Sequence, residues 1–148
     1  MKRRDAVDKN LLHRGIVVIV SNSKKDILVH KRSHLKKLYP GLYAVGIGGC
    51  VQYGESYDEC AARELKEELG INVQVKFIFP WRFDNEWDRT MVHVYMVVYD
   101  GQIDAEPAEI ESWRFVALSE VTQMLVTKNF CLGDGGLFEK YIEFKSRF

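Results

Sequence analysis

Apolar positions follow a two-residue rhythm in most of the chain and a helical one in three places. Ile16 to Val20 and Ile27 to Val29 are β-branched-rich runs separated by Ser21-Asn22-Ser23-Lys24-Lys25-Asp26, whose turn formers predict two neighbouring strands in a hairpin. The basic stretch Ser33 to Gly41 ends in Pro40-Gly41 and predicts a surface loop, with Pro40 restricting Tyr39, before Leu42 to Val45 resume an extended pattern. Gly46, Gly48, Gly49 and Gly54 then crowd together, as where a backbone turns, bulges or closely approaches a ligand.

From Ser56 to Leu69 there is neither Gly nor Pro. Ser56 is an expected N-cap with Glu59 as its capping-box partner, and Gly70 stops the helix. Ile71, Val73, Val75, Phe77 and Phe79 alternate with polar residues and predict a strand with one buried face. Met91 to Val98 is nearly continuous in apolar character, as in a central strand, with His93 expected to be a core histidine. Trp113 to Val116 predicts another strand, Ser119 is expected to cap a short helix through Val126, and Leu137 to Lys145 shows helical spacing. With no internal repeat or linker, residues 1–148 are expected to form one domain.

Composition narrows the class. The 148 residues are 47% hydrophobic and 28% charged, which supports a packed core and argues against disorder. Twenty-one basic side chains balance 21 acidic ones, so no net field draws the molecule to nucleic acid or an anionic membrane, and a phosphate partner must be held locally. The apolar runs are too short to cross a bilayer, and Cys50, Cys60 and Cys131 form no CxxC pair, which fits a reducing cytoplasm.

Glu64, Glu67 and Glu68 stand at i, i+3 and i+4 of the expected helix, so three carboxylates rise from one face within a turn. Ala61, Leu65 and Leu69 line the adjacent face and would hold the helix against a sheet. Such a cluster costs stability unless cations neutralise it, and an oxygen-only donor set suits Mg²⁺ or Mn²⁺. Metal-assisted hydrolysis is the chemistry these residue types serve.

The spacing from Gly49 through Glu55, Arg63-Glu64-Leu65 and Glu67-Glu68 to Gly70-Ile71 resembles the Nudix box, over residues 49–71. Seven fixed identities at about one in fifteen each give a chance match of order 10⁻⁸ per window. The resemblance implies an α/β fold, a Nudix-type α/β/α sandwich with a mixed sheet, and a pyrophosphohydrolase of MutT type. It implies that Glu64, Glu67 and Glu68 ligate Mg²⁺ (or Mn²⁺), with the Gly49 backbone as a further ligand, while Arg63 and Glu55 orient the carboxylates. Glu109 and Glu111, in the segment before the Trp113 strand, are candidate loop bases.

The implied substrate is a small-molecule diphosphate, either a nucleoside diphosphate linked to another moiety or a nucleoside triphosphate. Arg32 is a candidate phosphate contact, and Trp81 and Phe83 are candidate stacking partners, with Trp87, Tyr53 and Tyr57 nearby. No nucleic acid or membrane partner is expected, and a homodimer is compatible with this reading. His13-Arg14, then Lys31-Arg32-Ser33, Lys36 and Pro40-Gly41-Leu42-Tyr43 also resemble the branch that includes isopentenyl-diphosphate isomerase, which makes isomerisation the main alternative. That isomerase uses a Cys and a metal-binding His in the strand leading into the box, where this chain has Gly48 and Cys50. A non-catalytic nucleotide-sensing module is the third reading.

Overall fold

The computed structural model describes residues 12–84, 89–131 and 133–147. Strands β1 (His13–Ser21), β2 (Ile27–Arg32), β3 (Tyr43–Val45) and β4 (Ile47–Cys50) precede helix α1 (Tyr57–Leu69). Strands β5 (Lys76–Asp84), β6 (Arg89–Val98) and β7 (Ile110–Val116) follow, then helices α2 (Leu118–Thr127) and α3 (Asp134–Ser146). The main path of the sheet is β3-β2-β1-β6-β5, with β4 added to β1 and β7 to β2. Among the described strand pairs β1 and β6 run parallel and the others antiparallel, so the sheet is mixed.

The near-continuous apolar character of β1 reflects burial on both faces. Ile16, Val18 and Val20 join Leu28, Ile47, Tyr95 and the α1 residues Leu65 and Leu69 in one core, while Ile19 joins Val29, Val94, Val121, Leu137 and Phe138 in the other. The result is the expected α/β/α sandwich, with α1 on one side of the sheet and α2 and α3 on the other. Leu65 and Leu69 are fully buried, each worth about 2 kcal/mol relative to exposure, and their seating fixes which way the acidic face of α1 points.

The α1 termini follow the sequence expectation. Glu59 N–H donates to Ser56 Oγ and Ser56 N–H donates to Glu59 Oε1, both at 3.1 Å, and left-handed Gly70 closes the helix by donating its N–H to Lys66 O. Elsewhere the structure corrects the reading. The β1 and β2 strands pair only at Ser21 and Ile27, because β4 takes the β1 edge from Gly15 to Val18. The alternation from Ile71 to Phe79 is not one strand face. Ile71 packs under α1, β5 starts at Lys76, and a register shift between Phe77 and Phe79 sends Phe79 to the opposite core.

Ser119 lies inside the first turn of α2, whose N-cap Ala117 makes no side-chain bond, since packing of Leu118 on the core starts the helix earlier. Helix α3 begins three residues before Leu137, within the Gly-rich segment. Its first turn is anchored there by the Asp134 carboxylate, which accepts the Val45 N–H at 2.9 Å. Tyr39 adopts φ +53° rather than an extended conformation. The Arg32 guanidinium accounts for it, donating to the carbonyls of Leu38 and Tyr39 and gathering the loop around itself.

Candidate active site

The strand β4, the turn after it and α1 place the box residues around one guanidinium. Arg63 donates from Nε to Glu55 Oε2 at 2.6 Å and from Nη2 to Glu55 Oε1 at 3.0 Å, a two-point clamp. Its Nη1 donates to Glu64 Oε1 at 3.0 Å and Glu67 Oε2 at 3.2 Å, and Nη2 also reaches the Cys50 carbonyl. The bond from Arg63 holds the Glu55 carboxyl down at about 2, below the usual carboxylate range.

Gly49 serves by having no side chain. A Cβ there would stand 2.6 Å from Glu64 Oε1 and on top of the carbons behind it, so the Glu64 carboxylate lies directly against the β4 backbone. Burial pushes the Glu64 carboxyl up, against the opposing pull of Arg63. Glu68 lies deeper, 4% exposed, with its Oε2 buried and without a hydrogen-bond partner. Burial raises its carboxyl well above the ordinary range, and the neighbouring Glu64 and Glu109 charges add to the effect.

A cavity of about 100 Å³ adjoins this cluster. Gly15, Gly46, Gly48 and Gly49 give it a backbone floor, with Ile16, Ile47, Val92 and Phe83 as apolar walls and Arg32 and Asp134 as charged ones. Asp134 is 6% exposed, and burial lifts its carboxyl from 3.8 to about 7. In the same strand as Arg32, burial of His30 drives its imidazole down to about 3, aided by the Arg32 and Lys36 charges.

Residues 11–134 match the NUDIX domain family. The chain belongs to the Nudix family. A Nudix hydrolase of Pseudomonas aeruginosa is 34% identical over 121 residues, which span 78% of this chain and 69% of that protein. An isopentenyl-diphosphate Delta-isomerase of Pectobacterium atrosepticum is 28% identical over 131 residues, spanning 85% and 73%. The fold is shared with a MutT protein of Methanosarcina mazei, with a TM-score of 0.79 at 20% identity over 89% of this chain and 94% of that one. Membership carries the enzyme class, a Nudix pyrophosphohydrolase.

The Nudix fold gathers some of the expected residues and separates others. Glu55, Arg63, Glu64, Glu67 and Gly49 form one contact network, and Glu68 lies beside it. Among the described residues no three His, Cys, Asp or Glu side chains are converged in ligating geometry, and Glu64 and Glu67 are bonded to Arg63. Glu109 pairs with Lys36 and its charge bears on Glu64 and Glu68, whereas Glu111 is a β7 residue paired with Lys31 and His34. Arg32 and Phe83 line the cavity, with the Phe83 ring filling the space that a Cβ on Gly133 would occupy.

Trp81 does not line the cavity. It lies edge-on to Phe83 and against Gly136 of α3, with Lys140 over its ring, so it is a packing residue of the β5 and α3 contact. Tyr53 is exposed in the turn before α1, and Tyr57 stacks on His93 at 3.5 Å, which leaves His93 half-buried and not in the core. Trp87 lies outside the described residues. Sequence reasoning missed Asp134, whose only signal is an acid set within a run of glycines. Among the described residues no helix is long and apolar enough to cross a membrane.

Proposed function

We propose that this protein is a divalent-metal-dependent hydrolase that cleaves the diphosphate bond of a nucleoside diphosphate linked to another moiety, or of a nucleoside triphosphate. The observation that carries the reading is Glu68, a buried carboxylate with a partnerless oxygen, whose neighbour Glu64 lies against Gly49. A fold gains nothing from burying an unpaired carboxylate, whereas a hard cation with all-oxygen preference would satisfy it. The all-oxygen donor set suits Mg²⁺ or Mn²⁺, which Glu64, Glu67, Glu68 and the Gly49 carbonyl would hold. When bound, the cation would activate water and neutralise charge on the diphosphate.

The chain's own residues do the rest. Arg63, fixed by Glu55, aims the Glu64 and Glu67 carboxylates. Glu109 is the better placed loop base, since its charge bears on both Glu64 and Glu68, while Glu111 is engaged elsewhere. Arg32 lines the cavity and its charge bears on Glu68, so it would hold a phosphate there, and the cavity would take the organic end of the substrate.

The isomerase reading finds less support. Gly48 brings no side chain to the cavity wall, and the Cys50 thiol lies against the Val51 carbonyl at 3.9 Å. Glu68→Gln tests the hydrolase reading. The variant should match or exceed the metal-free stability of the wild type, because it removes a buried charge, yet lose both Mg²⁺-induced stabilisation and turnover in a screen of nucleotides and isoprenoid diphosphates. Retained Mg²⁺-dependent turnover would sink the metal assignment.

A further inference from the structure

Two protein cations are ion-paired to carboxylates at or beside the cluster, and they are built differently. Arg63 is clamped at two points by Glu55 and reaches Glu64 and Glu67, but it bonds neither Glu68 nor Glu109. The other is Lys36, whose ammonium pairs with Glu109 Oε2 although the stem is mostly withdrawn from solvent.

Backbone hydrogen bonds tie Lys36 to the cluster in four short links. Glu106 N–H donates to Glu68 O at 2.9 Å, and Glu109 N–H donates to Glu106 O at 2.9 Å. Ser33 N–H then donates to Glu109 O at 3.0 Å, and Lys36 N–H donates to Ser33 O at 3.1 Å. The loop that carries Lys36 is therefore registered against the end of α1 that carries Glu68. The electrostatics agree, since the Lys36 charge is felt at Glu68, and the Glu109 charge at both Glu64 and Glu68.

We infer that Lys36 is an exchangeable counter-ion, which holds Glu109 beside Glu64 and Glu68 in the metal-free protein and passes to the phosphate oxygens of the substrate when a divalent cation enters. The inference rests on the hydrolase reading above. A single-point ammonium on a four-carbon stem can change partners by rotamer, unlike the two-point Arg63 clamp. A divalent cation among the carboxylates repels the ammonium and competes for Glu109, while a diphosphate supplies the new negative partner. Pairing Lys36 in the metal-free state also relieves the repulsion among Glu64, Glu68 and Glu109, so the site can fold before it is loaded.

Exchange predicts effects of opposite sign. In Lys36→Met, Mn²⁺ binding measured without substrate by electron paramagnetic resonance should tighten at least threefold. Methylenediphosphonate, a non-hydrolysable diphosphate, should bind the Mg²⁺-loaded variant about tenfold more weakly by calorimetry. Lys36→Arg keeps the charge and should stay close to wild type in the Mn²⁺ measurement. A merely structural lysine would weaken both ligands on removal, so unchanged or weaker Mn²⁺ binding in Lys36→Met overturns the inference. Glu68→Gln separates the two failures. If it loses Mn²⁺ while Lys36→Met does not gain affinity, only the exchange is wrong; if it binds Mn²⁺ like wild type, the metal reading falls and the exchange with it.

Discussion

Asp134 offers a quantitative check because its burial is nearly complete and its carboxylate has a known backbone donor. Its Oδ2 accepts the Val45 N–H, and burial raises the carboxyl from 3.8 to about 7. In the unfolded chain the proton leaves near pH 4, while the folded protein keeps it to about pH 7. Between those values the folded state binds more protons, so raising the pH costs stability at up to about 1.4 kcal/mol per unit. Over some three units the loss approaches about 4 kcal/mol and is complete above pH 7. Asp134→Asn keeps an acceptor for Val45 and cannot ionise. Urea unfolding at pH 4 should give similar stabilities for the two proteins, and by pH 8 the variant should be more stable by roughly 2–4 kcal/mol, a rise in Tm on the order of 10 °C. A stability difference that stays constant from pH 4 to pH 8 would refute the assignment of a buried, late-titrating carboxyl.

His30 should act with the opposite sign. Its imidazole is held down to about 3 by burial, so below 6.5 the unfolded chain takes up protons that the folded one refuses, and stability falls as the pH drops from 6.5 toward 3. His30→Gln should flatten that acid limb in pH-dependent unfolding, and an unaltered limb would place the titration elsewhere. Gly49→Ala should leave the circular dichroism spectrum intact but displace the Glu64 carboxylate and lower kcat by roughly 10²-fold, the usual cost of an ångström-scale misplacement. Turnover equal to wild type would show that the close approach of Glu64 to the β4 backbone is dispensable.

The legible parts of the fold were those decided by local chemistry. The α1 helix could be read to its caps because Ser56, Glu59 and Gly70 satisfy its orphan backbone groups with residues near in sequence. What could not be read depended on partners far along the chain. The splaying of β1 from β2 is set by β4, and the flip of Phe79 to the opposite core by a bulge against β6. The early start of α3 depends on a bond between Asp134 and Val45, 89 residues apart in sequence. Periodicity counts residues, and a bulge breaks the count without marking the sequence.

The site divides along the same line. Spacing on one helix brought Glu64, Glu67 and Glu68 to one face, but spacing alone treats the three as equivalent. The sheet makes them unlike: Glu67 is exposed and tied to Arg63, Glu64 is pressed on Gly49, and Glu68 is sunk with an oxygen unpaired. That gradient arises because Leu65 and Leu69 roll the helix toward the core, carrying Glu68 inward with them and leaving Glu67 at the rim. The same apolar packing that stabilises α1 therefore forces a carboxylate out of water, and the fold tolerates it through Arg63, Lys36 and Arg32. Those three cations come from three segments, so the electrostatic balance of the site is a property of the assembled sheet and loops, which the 49–71 segment cannot supply by itself.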